Sequence, residues 1–127
     1  LLGSLVALNS IKTYELNPQL SPFLFACILF YLFYEVFFSF FRKSIKKKSP
    51  LNPDNFHLHM LLYSFLKNFR KIKNSNFITS LIINTTYLIL VTPVVFFQEN
   101  GFVLKYYFLL LLFFYSLTYL ILKKIKN

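Results

Sequence analysis

A single cysteine, Cys27, stands in this 127-residue chain, so neither a disulfide framework nor a thiolate metal centre can be built from it. Acid is nearly as scarce: Glu15, Glu35, Asp54 and Glu99 face 14 lysines and arginines, a net charge of +10. No aspartate precedes Asp54. There is also no initiator methionine and no basic n-region of a signal peptide at Leu1, and residues 1–11 read as the end of a helix entered midway. The chain is therefore expected to be a fragment.

What is present in abundance is apolar. Hydrophobic residues make up 57% of the chain and aromatics 21%, and the mean hydropathy is +0.57, more than an ordinary soluble domain carries. The composition predicts an all-α, polytopic membrane protein. Three runs have the roughly 20 residues that a bilayer crossing needs. The first is 20–41, with one charge, Glu35, inside it and Arg42 and Lys43 at its end. The second, 77–97, is interrupted by Asn84, Thr85, Thr86 and Pro93, which a spanning helix tolerates when neighbours satisfy the freed backbone groups. The third, 102–122, carries Lys105 near its start, where the side chain can snorkel, and closes on Lys123 and Lys124. Cys27 falls inside the first run, where it serves as a small buried hydrophobe. With the partial helix at 1–11, the whole chain reads as one C-terminal piece of a membrane domain.

Positive charge gives the orientation. Nine cations, from Arg42 to Lys73, lie in the loop 42–76, and Lys123, Lys124 and Lys126 lie at the C-terminus, on the same side if two spans separate them. The positive-inside rule makes that side cytoplasmic. The short opposite connections, 13–19 and 98–101, hold Glu15 and Glu99 and no cation. Nucleic acid is excluded as a partner, because these cations flank spans and are not interleaved with stacking aromatics on a soluble face. Anionic membrane lipid is the expected one.

Both histidines, His57 and His59, sit in that loop, the only place in the chain where chemistry is expected. Pro50, Asn52, Pro53, Asp54 and Asn55 signal turns and then a helix start, with Asp54 as the N-cap of a short helix over 56–66 lying against the bilayer or its neighbours. On a helix, residues two apart point to nearly opposite sides, whereas an extended turn lets the two histidines face the same way. No third Cys, His or Glu stands nearby, so no metal is assigned to H-x-H alone, and two interfacial histidines without a ligand are the ordinary reading. Glu35 lies seven residues before Arg42, on nearly the same helix face, and can form a structural ion pair with it or act as a functional charge within a span.

The runs YEVFFSFFRK (34–43), KKSPLNPDNFHLHMLLY (47–63) and KNSNFITS (73–80) carry a further signal. Their order and spacing resemble the C-terminal part of the polyprenyl-phosphate N-acetylhexosamine-1-phosphate transferases, the MraY/WecA type of membrane glycosyltransferase (glycosyltransferase family 4). That family has an acid and an arginine at a helix end, then serine-proline, then a P-D-x-x-H-x-H motif in a cytoplasmic loop. The resemblance implies transfer of N-acetylhexosamine 1-phosphate from a UDP-N-acetylhexosamine to undecaprenyl phosphate with release of UMP. It also implies Mg2+ as cofactor, the bacterial cytoplasmic (inner) membrane as location, and cell-envelope glycan synthesis as purpose. His57 and His59 match the motif's first two histidines, Asp54 its aspartate and Arg42 the arginine, which makes these four the implied substrate-binding residues. Met60, Asn55 and Glu35 stand where many members have histidine, arginine and aspartate, marking a branch with a shorter H-L-H motif. The family's magnesium-binding and catalytic aspartates precede its histidine loop, so this chain alone is expected to be inactive. A homodimer is one assembly compatible with this reading. Two other classes stay open: a non-catalytic membrane subunit whose loop binds a partner, and a lipid-surface protein that uses the basic loop.

Overall fold

The computed structural model describes residues 2–47, 49, 55–69 and 72–126. Among them there is no strand: six helices follow in order, α1 Leu2–Leu16, α2 Pro22–Ile28, α3 Phe30–Ile45, α4 Leu58–Ser64, α5 Ser75–Phe96 and α6 Gly101–Lys126. A single π-helical turn, Phe65–Phe69, extends α4. Asp54 and the prolines around it lie outside the described residues, as do Lys48, Arg70 and Lys71.

α5 and α6 are long and apolar enough to cross a membrane. They match the expected second and third runs, with α6 running four residues beyond Leu122 to put Lys123, Lys124 and Lys126 in its last turn, where cations complement the helix dipole. Pro93 falls in the last turn of α5, where it has no N–H to give to the i−4 carbonyl, and the helix ends three residues later at Phe96. The partial helix expected over 1–11 continues instead to Leu16 and carries Lys12 and Glu15, and the hydroxyls of Ser10 and Thr13 turn back onto the carbonyls of Val6 and Asn9.

The first expected span is not one helix. It breaks at Leu29 into α2 and α3, which meet at 71°. Neither proline nor glycine occupies residues 27–30, so the break is imposed by packing. Ser21 starts α2 by accepting the Phe23 N–H, with Pro22 at the first helical position. Leu24 and Cys27, three apart, bury against the bundle, and the Cys27 thiol contacts the Leu104 carbonyl of α6 at 3.6 Å. The break frees backbone carbonyls in an apolar setting, and the Tyr87 hydroxyl of α5 donates to that of Ile28. Two helices are thus long and apolar enough to span, and a third crossing is available only if the bent pair counts as one.

Buried side chains of α6, Leu104, Leu111, Tyr115, Tyr119 and Leu122, form a stripe with spacings of 7, 4, 4 and 3, one helix face. Against it lie Leu24, Cys27, Phe30, Leu61 and Val94, so every neighbouring helix meets α6 through its own apolar face. Tyr115 is the hub of the aromatic contacts, edge-on to Tyr34 at 4.9 Å and to Phe38 at 5.7 Å. At one end the Ser21 N–H donates to the Gln98 carbonyl, and a Cβ on Gly101 would come within 3.0 Å of Ser21 Oγ, so the two connections touch there. At the other, Lys126 Nζ donates to the Asn55 carbonyl at 3.0 Å, which puts the histidine loop and the end of α6 together.

Tyr87→Phe removes only the hydroxyl that serves the Ile28 carbonyl. It is expected to lower the stability of the chain by about 0.5–1.5 kcal/mol in reversible SDS unfolding from mixed micelles. Tyr106→Phe, at an exposed ring, is expected to stay within about 0.5 kcal/mol of the parent.

Candidate functional site

α3 presents Glu35, Ser39 and Arg42 at i, i+4 and i+7, and α6 presents Tyr115 and Tyr119 at i and i+4. These two rows converge on the segment Phe56–Leu58. The Glu35 carboxylate holds one end of that segment: Oε1 lies 2.9 Å from His57 Nδ1 and accepts the Leu58 N–H at 2.9 Å, while Oε2 accepts the Tyr115 hydroxyl at 2.5 Å. Arg42 holds the other. Its guanidinium donates to the Phe56 carbonyl, to Tyr119 Oη at 2.8 Å and to Ser39 Oγ at 3.3 Å, and it lies over the rings of Phe56 and Tyr119 at 5.7 Å each. The expected pairing of Glu35 with Arg42 is not made, because each takes a partner in the loop: Glu35 Oε1 lies beside His57 Nδ1 and Arg42 donates to the Phe56 carbonyl.

α4 begins at Leu58, two residues later than the sequence suggests. His57 is its N-cap in an extended conformation, φ −74° and ψ 150°, and makes no side-chain cap bond of its own. A carboxylate from another helix supplies the cap, since Glu35 receives the first helical N–H and favours the positive end of the helix. With His57 extended and His59 on the first turn, the rings stack, their centroids 5.7 Å apart and their planes 19° from parallel. The opposed arrangement that a continuous helix would give is therefore not adopted.

His59, the more exposed of the two, borders a cavity of about 440 Å³ between α4 and the start of α5. Tyr63, Asn76, Thr79, Ser80 and Asn84 line it with hydroxyls and amides, and among the described residues no lysine, arginine or carboxylate is in its walls. It adjoins an apolar cleft of about 180 Å³, with which it shares Tyr31 and Ile83. The cations gather elsewhere: Lys46 and Lys126 lie 5.6 and 4.7 Å from the Phe56 ring centre, beside Arg42.

The structure thus brings His57, His59 and Arg42 into one site, while Asp54 lies outside the described residues. Among the described residues no group of three or more His, Cys, Asp or Glu could hold a metal ion, so the magnesium of the resemblance has no ligand set in them. Tyr115, Tyr119, Ser39 and Lys126 belong to the site without having been singled out from the sequence. The four-residue spacing of the two tyrosines and of Glu35 and Ser39 is a readable signal, but it is submerged among the 27 phenylalanines and tyrosines of the chain, 18 and 9 respectively. Compared with known proteins, the chain matches no family model, no curated protein and no solved structure.

Arg42→Lys keeps the charge and loses the fork whose Nη1 serves the Phe56 carbonyl and Tyr119 while Nη2 reaches Ser39. Amide exchange across residues 56–61, read by mass spectrometry on the chain in nanodiscs, is expected to accelerate about 10-fold or more, as loss of a charged hydrogen bond worth about 1.5–3 kcal/mol implies.

Proposed function

We propose that this chain forms the C-terminal part of a bacterial inner-membrane transferase. The enzyme would move N-acetylhexosamine 1-phosphate from a UDP-N-acetylhexosamine to undecaprenyl phosphate, with the histidine loop at the cytoplasmic face. One observation carries the reading: Glu35, Arg42, His57 and His59, the residues on which the resemblance rests, are spread over 25 positions and meet at one end of the bundle. In this reading the two imidazoles are the groups that meet substrate, donating to phosphate oxygens at a membrane surface whose cations attract polyanions. Arg42 acts as a brace, its guanidinium turned onto the loop that carries the histidines. Magnesium, which the family uses to stabilise phosphate charge, would be held by residues other than those described here.

Lys46 and Lys126, whose contacts are with Phe56 and the Asn55 carbonyl and with no carboxylate among the described residues, favour a second role in binding anionic lipid at the same end. The two readings separate by experiment. In membranes containing the full-length protein, with labelled UDP-N-acetylglucosamine, undecaprenyl phosphate and Mg2+, His57→Ala and His59→Ala are each expected to lower transfer about 10- to 100-fold, the worth of a hydrogen bond to a charged group. Transfer unchanged in the double variant would overturn the transferase reading of the loop. Salt-sensitive binding to anionic vesicles that ignores UDP-sugars would support the lipid role alone.

A further inference from the structure

The contacts of Glu35 determine more than the position of the loop. We infer that Glu35 is a positioning residue that keeps the proton of His57 on Nδ1, so that the imidazole meets its substrate through Nε2. The Leu58 N–H can only donate, and it donates to Oε1 at 2.9 Å. Nδ1 of His57 reaches that same oxygen at 2.9 Å, and the Tyr115 hydroxyl reaches Oε2 at 2.5 Å. Three groups able to donate surround one carboxylate. Ionised, a carboxylate is an acceptor only, so the hydrogen between it and the imidazole belongs to Nδ1. Neutral imidazole carries one N–H, and with that hydrogen on Nδ1 the lone pair belongs to Nε2.

Ring geometry gives the tautomer a direction. Nδ1 and Nε2 lie on opposite edges of the imidazole, so anchoring Nδ1 to α3 turns Nε2 away from the carboxylate. Glu35 is the more enclosed partner, its side chain 12% exposed against 29% for His57. Tyr115, which holds Oε2, is itself fixed between Tyr34 and Phe38, so the carboxylate cannot rotate without losing a donor. The stacked His59 lies along the face of the same ring. A hydrogen-bond donor or a proton that arrives at Nε2 finds an imidazole whose charged form is paired with Glu35, the logic by which a carboxylate orients the base of a catalytic triad. Nothing in this arrangement depends on which substrate the loop meets, so the inference stands apart from the transferase reading.

The chain contains two histidines, so the test is direct. The chain is labelled with 15N-histidine, placed in lipid bilayers and studied by solid-state NMR at alkaline pH until the rings are neutral, with His59→Gln assigning the spectrum. His57 is expected to show a protonated, pyrrole-type Nδ1 and a pyridine-type Nε2. Glu35→Ala is expected to release it to the Nε2–H form that solvated histidine favours. Glu35→Gln, whose amide can accept or donate, is expected to give both forms if the alanine variant does not fold. Glu35→Asp is expected to restore Nδ1–H, while Tyr115→Phe leaves it in place. An Nε2–H tautomer in the parent chain overturns the inference. So does a tautomer unchanged in both Glu35→Ala and Glu35→Gln when the His59 signals show the fold intact. Because no substrate enters the experiment, its failure is distinct from failure of the transferase assay.

Discussion

A carboxylate inside an apolar helical bundle is the constraint around which this end of the molecule is arranged. Glu35 sits on a helix whose neighbours are almost all phenylalanine, leucine and tyrosine, an environment in which an unpartnered charge is costly. Three donors relieve it, and they come from three places: the Tyr115 hydroxyl of α6, the His57 ring of the loop and the Leu58 N–H of α4. Meeting the needs of one side chain thus requires the loop to be seated and α6 to be in register. Loop and bundle are one structure here, since to lift the histidines from α3 is also to expose a charge.

Arg42, two turns further along α3, completes the arrangement by opposite polarity. An acceptor, Glu35, takes the N–H at the start of α4, and a donor, Arg42, takes the Phe56 carbonyl two residues earlier. A short extended segment has both kinds of backbone group to satisfy. One anion and one cation on a single helix face serve both, which explains why the two charges do not simply neutralise each other.

How much of this could be read from the chain follows from where the signal lies. α5 and α6 were legible because long apolar runs, with Lys73 before the one and Lys123, Lys124 and Lys126 closing the other, carry their own physics, and the two helices match the expected runs to within about a turn. The break at Leu29 was not, since Cys27, Ile28, Leu29 and Phe30 propagate a helix as well as their neighbours do, and it is α5 and α6 that turn the chain. Glu35 and Arg42 were recognisably on one face, but their partners were invisible. Spacing along a helix cannot register a loop that returns from some 20 residues away with a better-placed donor and acceptor. Tyr115 and Tyr119 were hidden for a different reason: in a span this aromatic, a tyrosine used for its hydroxyl looks the same as one used for its ring.

The bend at Leu29 also alters how the molecule fits a bilayer. After the turn, α3 is 16 residues long, about 24 Å at 1.5 Å per residue, whereas α5 with 22 residues reaches about 33 Å and α6 with 26 about 39 Å. A hydrocarbon core is about 30 Å thick, so α3 is too short to cross it alone while α5 and α6 are long enough to cross with length to spare. The resulting hydrophobic mismatch is local: lipids around α3 must thin, or the segment seated on its end must lie beneath the phosphate plane. Either way, a thicker membrane would load the joint at Leu29 more heavily than a thinner one.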